Sequence, residues 1–227
     1  EVSRVIVAYL LALVGSLMIF GHLTDRKGME KMFVIGFAVF TVASALCAIS
    51  PSMDFLNIFR FVQGLGGAML LSTFGAIILK YLPVEIRGRA FGFCTVFGGT
   101  GVAIGPPVGG FMVQYLSWHW IFVVNIPIGI LAIILALKVL NKPHIKPENS
   151  GSSSFDFIGA LLSFAGLFVL FYMLNTADNF GWLSLRNILM LAFSVVCFIL
   201  FITREKRYPV PLIDLSVFKL KNRVLGF

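Results

Sequence analysis

The sequence predicts an all-α polytopic membrane protein with seven transmembrane helices, on two observations. Hydrophobic residues make up 59% of the 227 positions, whereas Asp, Glu, Lys and Arg make up only 12%. A soluble domain of this size needs more charge to cover its surface, so most of this surface must face lipid. The apolar residues also occur in runs of about 20, the length at which a helix crosses the hydrocarbon layer.

Seven apolar runs follow one another along the chain. The longest stretch without charge, 90–137, contains 48 residues and is long enough for two crossings. The polar and aromatic residues 117–120 are the natural place for a turn between them. The predicted spans are 5–24, 32–50, 55–79, two within 90–137, 157–177 and 187–203.

The basic residues predict the orientation of these helices. They fall almost entirely in alternate loops, a bias that marks the cytoplasmic side and places the first residue outside. Since these residues separate apolar runs, the net charge of +8 does not indicate nucleic-acid binding. Fifteen of the 18 basic residues lie on the predicted cytoplasmic side: Arg26, Lys27, Lys31, Lys80, Arg87, Arg89, Lys138, Lys142, Lys146, Arg204, Lys206, Arg207, Lys219, Lys221 and Arg223.

One polar segment divides the chain. Residues 141–154 contain two prolines, one glycine and four serines, a composition typical of a flexible connection. We therefore expect five spans in residues 1–138, a flexible cytoplasmic linker at 139–154, two further spans in 155–203 and a basic cytoplasmic loop at 204–227. The cysteines and histidines are scattered without metal-ligand spacing, so no metal site is predicted.

Two glycines frame the first basic segment, residues 21–28. Gly21 and Gly28 permit a tight reversal between adjacent helices. Asp25 and Arg26 can pair with each other or with neighbouring helix ends. These residues can therefore form a functional contact, or they can form only an ordinary cytoplasmic turn, and both interpretations stay open.

The third span carries a charge inside it. Arg60, Gln63 and Gly64 are spaced to share one helix face, and Gly64, Gly67 and Ala68 allow another helix to approach closely. A membrane arginine usually faces a bundle interior or an aqueous cavity, where Arg60 can organise a substrate or proton site. Alternatively, Arg60 lies about 9 Å below the outer surface and reaches the headgroups.

The fourth span contains three glycines at intervals of four, which form a smooth stripe. Two adjacent prolines within the stripe remove backbone donors and are expected to kink the helix. Helices interrupted in this way are typical of transporters, where they bend or rock; a static packing groove is the alternative. The residues concerned are Gly101, Gly105, Pro106, Pro107, Gly109 and Gly110.

In order and spacing, these segments resemble the major facilitator superfamily. Residues 21–28 are similar to its G-x-L-x-D-R-x-G signature, 60–66 to R-x-x-Q-G-x-G, and 101–110 to the antiporter motif G-x-x-x-G-P-x-x-G-G. Further segments make the chain similar to the fourteen-span drug:proton antiporters of the EmrB/QacA type. These segments are 118–122, 125–129, 155–156, 181–182 and 211–215.

The resemblance implies a proton-coupled multidrug efflux transporter that exports lipophilic, often cationic compounds by alternating access. The chain would be an internal fragment covering roughly spans two to eight, with 155–203 as an extra pair between two bundles. Expected partners are the lipid bilayer of a bacterial plasma or inner membrane, protons and small lipophilic substrates, with a periplasmic adaptor protein as a further candidate. Neither a cofactor, a catalytic site nor a nucleic-acid partner is expected.

The resemblance also implies roles for the three motifs. Arg60, Gln63 and Gly64 would belong to the substrate and proton pathway. The glycine-proline stripe of the fourth span would be the antiporter motif. The cytoplasmic gate would comprise Gly21, Asp25, Arg26 and Gly28.

The chain departs from the family pattern in three places. Met29 and Glu30 stand where basic residues usually follow the second glycine, and His119 stands where arginine is usual. No acidic residue lies deep within a predicted span, so no proton carrier can be named. The family's first span, which usually carries that acid, is expected upstream of Glu1.

Two alternative functions fit some of these observations, and a third is disfavoured. An importer or exporter of a specific metabolite within the same superfamily is the closest. A seven-helix receptor or retinal protein fits the span count, although the last span offers no lysine for a Schiff base. An intramembrane enzyme would need a nucleophile-base pair or metal ligands at membrane depth, and the sequence shows neither.

Overall fold

A computed structural model describes residues 2–140 and 156–207, which form helices and no strand. Seven helical segments are long and apolar enough to cross a membrane, with α5 and α6 together forming one of them. The prediction of an all-α polytopic protein with seven spans is therefore confirmed. The helices are α1 Val2–Lys27, α2 Met29–Ala48, α3 Met53–Tyr81, α4 Val84–Tyr115, α5 Trp120–Val123, α6 Asn125–Leu140, α7 Phe157–Phe180 and α8 Leu185–Glu205.

Helix α3 lies at the centre of the packing, with α1 on one side and α2 on the other. Glycines of α3 permit both contacts. A Cβ at Gly64 would overlap the carbonyl oxygen of Tyr9 on α1, and a Cβ at Gly66 would lie 2.7 Å from the backbone nitrogen of Phe40 on α2. Helices in lipid associate through such close packing, since lipid tails are as apolar as their side chains. The predicted close approach at Gly64 is confirmed.

The outer helices complete this arrangement. Helix α6 packs against α2, where Gly129 accommodates the hydroxyl of Thr41. Helix α7 packs against both α1 and α8. The chain turns between α4 and α5 at residues 116–119, close to the predicted turn at 117–120.

The turn between α1 and α2 differs from the prediction. Residues 21–27 continue α1, and only Gly28, with φ of 92°, reverses the chain. Gly21 lies within the helix and makes no close approach, so the prediction that it shapes the reversal was wrong. The helix can continue because residues 22–27 contain no helix breaker, and because Arg26 and Lys27 in the last turn suit the negative end of the helix dipole.

Helix α4 continues without a break through Pro106 and Pro107, and the bend expected there stays a prediction. Within the described ranges α4 touches only α3 and α5, and none of its residues is buried. A Cβ at Gly101, Gly105 or Gly109 would meet no atom within 4 Å. The described helices therefore supply no partner for the glycine stripe.

Two predicted segments fall largely outside the described residues. These are the linker at 139–154, described only to Leu140, and the basic loop at 204–227, described only to Arg207. The same holds for the family-like segment 211–215 and for Phe155.

Candidate functional site

The Arg60 side chain lies between two aromatic rings on different helices. Its guanidinium carbon is 4.5 Å from the ring centre of Phe122 on α5 and 5.8 Å from that of Tyr9 on α1. A guanidinium over an aromatic face gains about 0.5–2 kcal/mol, more as water is excluded. Phe122 is fixed in turn, because it belongs to a buried cluster with Val5 and Leu56.

A chain of hydrogen bonds connects Arg60 to the neighbouring helix α2. Nη1 of Arg60 donates to Oε1 of Gln63 at 3.0 Å, and Nε2 of Gln63 donates to Oγ of Ser44 at 2.7 Å. Oγ of Ser44 then donates to the carbonyl oxygen of Phe40 at 2.7 Å. Gln63 and Ser44 are both buried, so this chain fixes the charge in a region with little access to water.

We call Tyr9, Ser44, Arg60, Gln63 and Phe122 the Arg60 cluster. Its members come from α1, α2, α3 and α5, so the guanidinium lies among several helices of the bundle. Gly64 brings α1 close enough for Tyr9 to take part. Arg60 and Gln63 therefore meet as the spacing predicted, while Gly64 contributes through backbone packing.

One polar atom of this cluster has unused hydrogen-bonding capacity. Nε of Arg60 is buried and makes no hydrogen bond within residues 2–140 and 156–207. A buried polar group without a partner costs about 1–3 kcal/mol. A fixed cation with an unused donor can bind an anionic or polar group and can alter the protonation of an acid placed nearby.

Most partners of Arg60 could not be found from the sequence. Tyr9, Ser44 and Phe122 are distant from it along the chain, and although Phe122 lies in the family-like segment 118–122, nothing in that pattern relates it to Arg60.

The residues of the predicted cytoplasmic gate lie in the last turns of α1 and in the turn that follows it, and their role as a gate stays a prediction. Asp25 and Arg26 are exposed at the end of α1, and Asp25 makes no ion pair with any other described residue. The predicted pairing of Asp25 with Arg26 is therefore not seen. An ion pair forms instead at Glu30, whose Oε1 lies 2.6 Å from Nζ of Lys80 and accepts a hydrogen bond from the hydroxyl of Tyr81 at 3.0 Å.

The Glu30–Lys80 pair joins the start of α2 to the end of α3. The Glu30 side chain is 9% exposed and that of Lys80 is 40% exposed. Glu30 is one of the residues that depart from the family pattern. Lys80 is thus the partner of its carboxylate, and the sequence pattern around Glu30 did not predict that partner.

A second ion pair joins the start of α7 to the end of α8. We call this end of the helix pair, where Arg204, Lys206 and Arg207 lie, the basic end. Asp156 caps the start of α7 by accepting a hydrogen bond from the backbone nitrogen of Gly159 at 2.8 Å. Nε of Arg204, in the last turn of α8, lies 2.8 and 3.0 Å from the two carboxylate oxygens of Asp156. The buried carboxylate therefore holds two helix ends together.

The described residues do not bring the three motifs into one site. The Arg60 cluster lies between α1, α2, α3 and α5, near the end of α2 and the start of α3. The Glu30–Lys80 pair lies at the other end of these two helices, at the start of α2 and the end of α3. The glycine stripe of α4 contacts neither. Among the described residues, the Arg60 cluster combines charge, burial and an unused hydrogen-bond donor.

Comparison with known proteins gives a family match over most of the chain. Residues 1–210 match the family model described as Major Facilitator Superfamily. Riboflavin transporter RibZ of Clostridioides difficile (strain 630) is 30% identical over 226 residues, which cover 100% of this chain and 48% of RibZ. The protein named "Putative multidrug resistance protein MdtD" of Escherichia coli O1:K1 / APEC is 33% identical over 226 residues, with coverages of 100% and 47%. The chain thus spans about half the length of these curated relatives.

Proposed function

Because this chain belongs to the major facilitator superfamily, we propose that the protein containing it is a proton-coupled multidrug efflux transporter. It is a multi-pass integral protein of the bacterial cell membrane. The proposed substrates are lipophilic, often cationic compounds, and the driving force is inward movement of protons. The similarity to MdtD, whose name refers to multidrug resistance, supports this choice of substrate.

The observation that carries the proposal is the position of Arg60. Its cation is held inside the bundle by Gln63 and by two aromatic rings, at a place where an arginine is costly unless it serves a function. We assign it to the substrate and proton pathway together with Gln63 and Gly64. Its positive charge favours the ionised form of a nearby acid and disfavours a second cation, which is the property that exchange of a proton for a cation requires.

The other two motifs receive roles in alternating access. The α4 stripe, comprising Gly101, Gly105, Pro106, Gly109 and Gly110, acts as the moving interface that seals one side of the cavity. The gate on the cytoplasmic side comprises Gly21, Asp25, Arg26 and Gly28. The Glu30–Lys80 pair lies beside this gate and ties α2 to α3 there.

The finer classification also belongs to this proposal. We place the chain among the fourteen-span antiporters of the EmrB/QacA type, as roughly spans two to eight, with α7 and α8 as the extra pair between two bundles. Its coverage of about half of each relative agrees with that placement. A periplasmic adaptor protein remains a prediction from the resemblance alone.

Transport by the complete protein in proteoliposomes tests the proposal. A fluorescent lipophilic cation is followed while a pH gradient is imposed in each direction. The dye should move against the proton flow, reverse with the gradient and stop when a protonophore collapses it. Dye movement no faster than in protein-free vesicles, with protein shown to be folded, would remove the multidrug assignment.

A second candidate function is transport of a specific metabolite. The similarity to RibZ, named as a riboflavin transporter, favours this candidate. The same vesicles loaded with riboflavin distinguish the two. Gradient-driven riboflavin movement without dye movement would favour the metabolite transporter, whereas dye movement that riboflavin does not inhibit would favour multidrug efflux.

A further inference from the structure

A groove between α7 and α8 at the basic end combines apolar walls with two arginines. Its volume is about 640 Å³. The apolar residues Ile158 and Leu200 are 53% and 49% exposed, so they face outward from the helix pair. The lining residues are Ile158, Leu162, Leu200, Thr203, Arg204 and Arg207.

The two arginines differ in how they are held. Asp156 binds Nε of Arg204 through both carboxylate oxygens, which fixes the guanidinium and offsets its charge. Arg207 is exposed, and its guanidinium makes no hydrogen bond or ion pair with any residue in 2–140 or 156–207. Lys206 adds a further exposed cation next to it. The mouth of the groove is therefore positively charged.

We propose that this groove binds an anionic phospholipid of the cytoplasmic leaflet. The phosphate lies at Arg204 and Arg207, and an acyl chain runs along the apolar wall. Basic pockets between membrane helices at the cytoplasmic surface suit anionic headgroups in both charge and depth. A groove that continues from arginines into exposed leucine and isoleucine matches a molecule that is anionic at one end and apolar at the other.

Charge disfavours one other occupant, the chain's own residues 208–227. That segment contains Lys219, Lys221 and Arg223 against a single acid, Asp214. Placing it in the groove would bring cations next to cations, and like charges in contact are unfavourable. The lipid proposal is independent of the substrate that the protein transports.

Native mass spectrometry of the complete protein in a neutral detergent tests the proposal. Phosphatidylglycerol and phosphatidylcholine with the same acyl chains are titrated separately, and lipid adducts are counted. Phosphatidylglycerol should bind at lower concentration than phosphatidylcholine. Arg207→Gln should weaken phosphatidylglycerol binding about fivefold, the factor expected for one basic side chain at an anionic surface, and should leave phosphatidylcholine binding unchanged.

Two further variants make the result specific to the groove. Arg186→Gln removes a cation from the other end of α8 and should leave both affinities unchanged. Arg207→Lys keeps the charge and should restore most of the phosphatidylglycerol binding. Equal binding of the two lipids, or a loss in Arg186→Gln as large as that in Arg207→Gln, would overturn the proposal. Displacement of the lipid by millimolar inorganic phosphate would also overturn it, because the arginines would then be binding an anion without help from the apolar wall.

Discussion

Nη1 of Arg60 donates a hydrogen bond to Oε1 of Gln63 across 3.0 Å, and the two residues lie one turn apart on α3. Gln63 is itself held by Ser44 on α2. The position of the charge therefore depends on how α2 and α3 pack against each other. A relative movement of these helices would change the support of Arg60, which connects a rocking motion to the electrostatics of the proposed proton pathway.

The link through Gln63 can be measured with a double-mutant cycle. Gln63→Leu should lower the free energy of unfolding by about 1–3 kcal/mol, because Arg60 and Ser44 each lose a buried partner. Ser44→Ala should cost about 1 kcal/mol. The double variant should lose less than the sum, with a coupling of about 0.5–3 kcal/mol in denaturation from detergent micelles. Strictly additive losses would mean that the two side chains do not interact.

The close contact at Gly64 predicts that the stability of the protein depends strongly on the size of the residue at this position. Gly64→Ala should destabilise the protein by about 1–3 kcal/mol, because its Cβ would overlap the Tyr9 carbonyl oxygen. Gly75→Ala on the same helix is the matched control, since a Cβ there meets nothing within 4 Å. This control should be neutral or stabilised by up to about 1 kcal/mol through helix propensity. Similar thermal midpoints for both variants in detergent would contradict the packing of α1 on α3.

The sequence predicted the seven spans because length and hydropathy alone decide whether a helix can cross a bilayer. It placed the ends of several helices too early. Helix α1 continues from Thr24 to Lys27, and α8 from Thr203 to Glu205, because polar residues can extend a helix into the headgroup region. The reversal at residues 21–28 was misjudged for the same reason: charge density indicates where the membrane ends, not where the helix ends.

The sequence predicted the local part of the candidate site. Arg60, Gln63 and Gly64 could be placed together since helix periodicity relates residues three and four apart. Ser44 and Phe122 could not, because their proximity depends on how separate helices pack. Glu30 illustrates the same limit. It was noticeable as an acid where basic residues are usual, but its partner Lys80 is 50 positions away.

Swapping the two residues of the Glu30–Lys80 pair should destabilise the protein less than removing one of them. Lys80→Met removes the cation from a largely buried carboxylate, which still accepts a hydrogen bond from the hydroxyl of Tyr81. The expected loss is about 1–3 kcal/mol, less than for a fully buried pair since Lys80 is partly exposed. Glu30→Lys combined with Lys80→Glu should recover part of this loss in thermal unfolding. Lys31→Met, at a neighbouring exposed cation, is the control and should be neutral; no recovery in the exchanged double variant would argue against a direct ion pair.

Transport, rather than local packing, should depend on the size of the residues in the α4 stripe. A Cβ at Gly105 would meet no described atom within 4 Å, so Gly105→Leu should not disturb the packing of the described helices. It should nevertheless block transport if the stripe closes against another part of the protein. Gly92 lies on a different face of the same helix, so the Gly92→Leu variant should transport normally. Wild-type dye export by Gly105→Leu would show that the stripe is not a moving interface.

The measurement that most directly tests the role of Arg60 is proton-driven export by Arg60→Ala and Arg60→Lys. Both variants are reconstituted at equal protein density, and a cooperative thermal transition above the assay temperature establishes that they are folded. Arg60→Ala should abolish gradient-driven dye movement, whereas Arg60→Lys, which keeps the charge but loses the forked donor geometry, should retain part of it. Export by Arg60→Ala at the wild-type rate, with the same response to the pH gradient, would contradict the account.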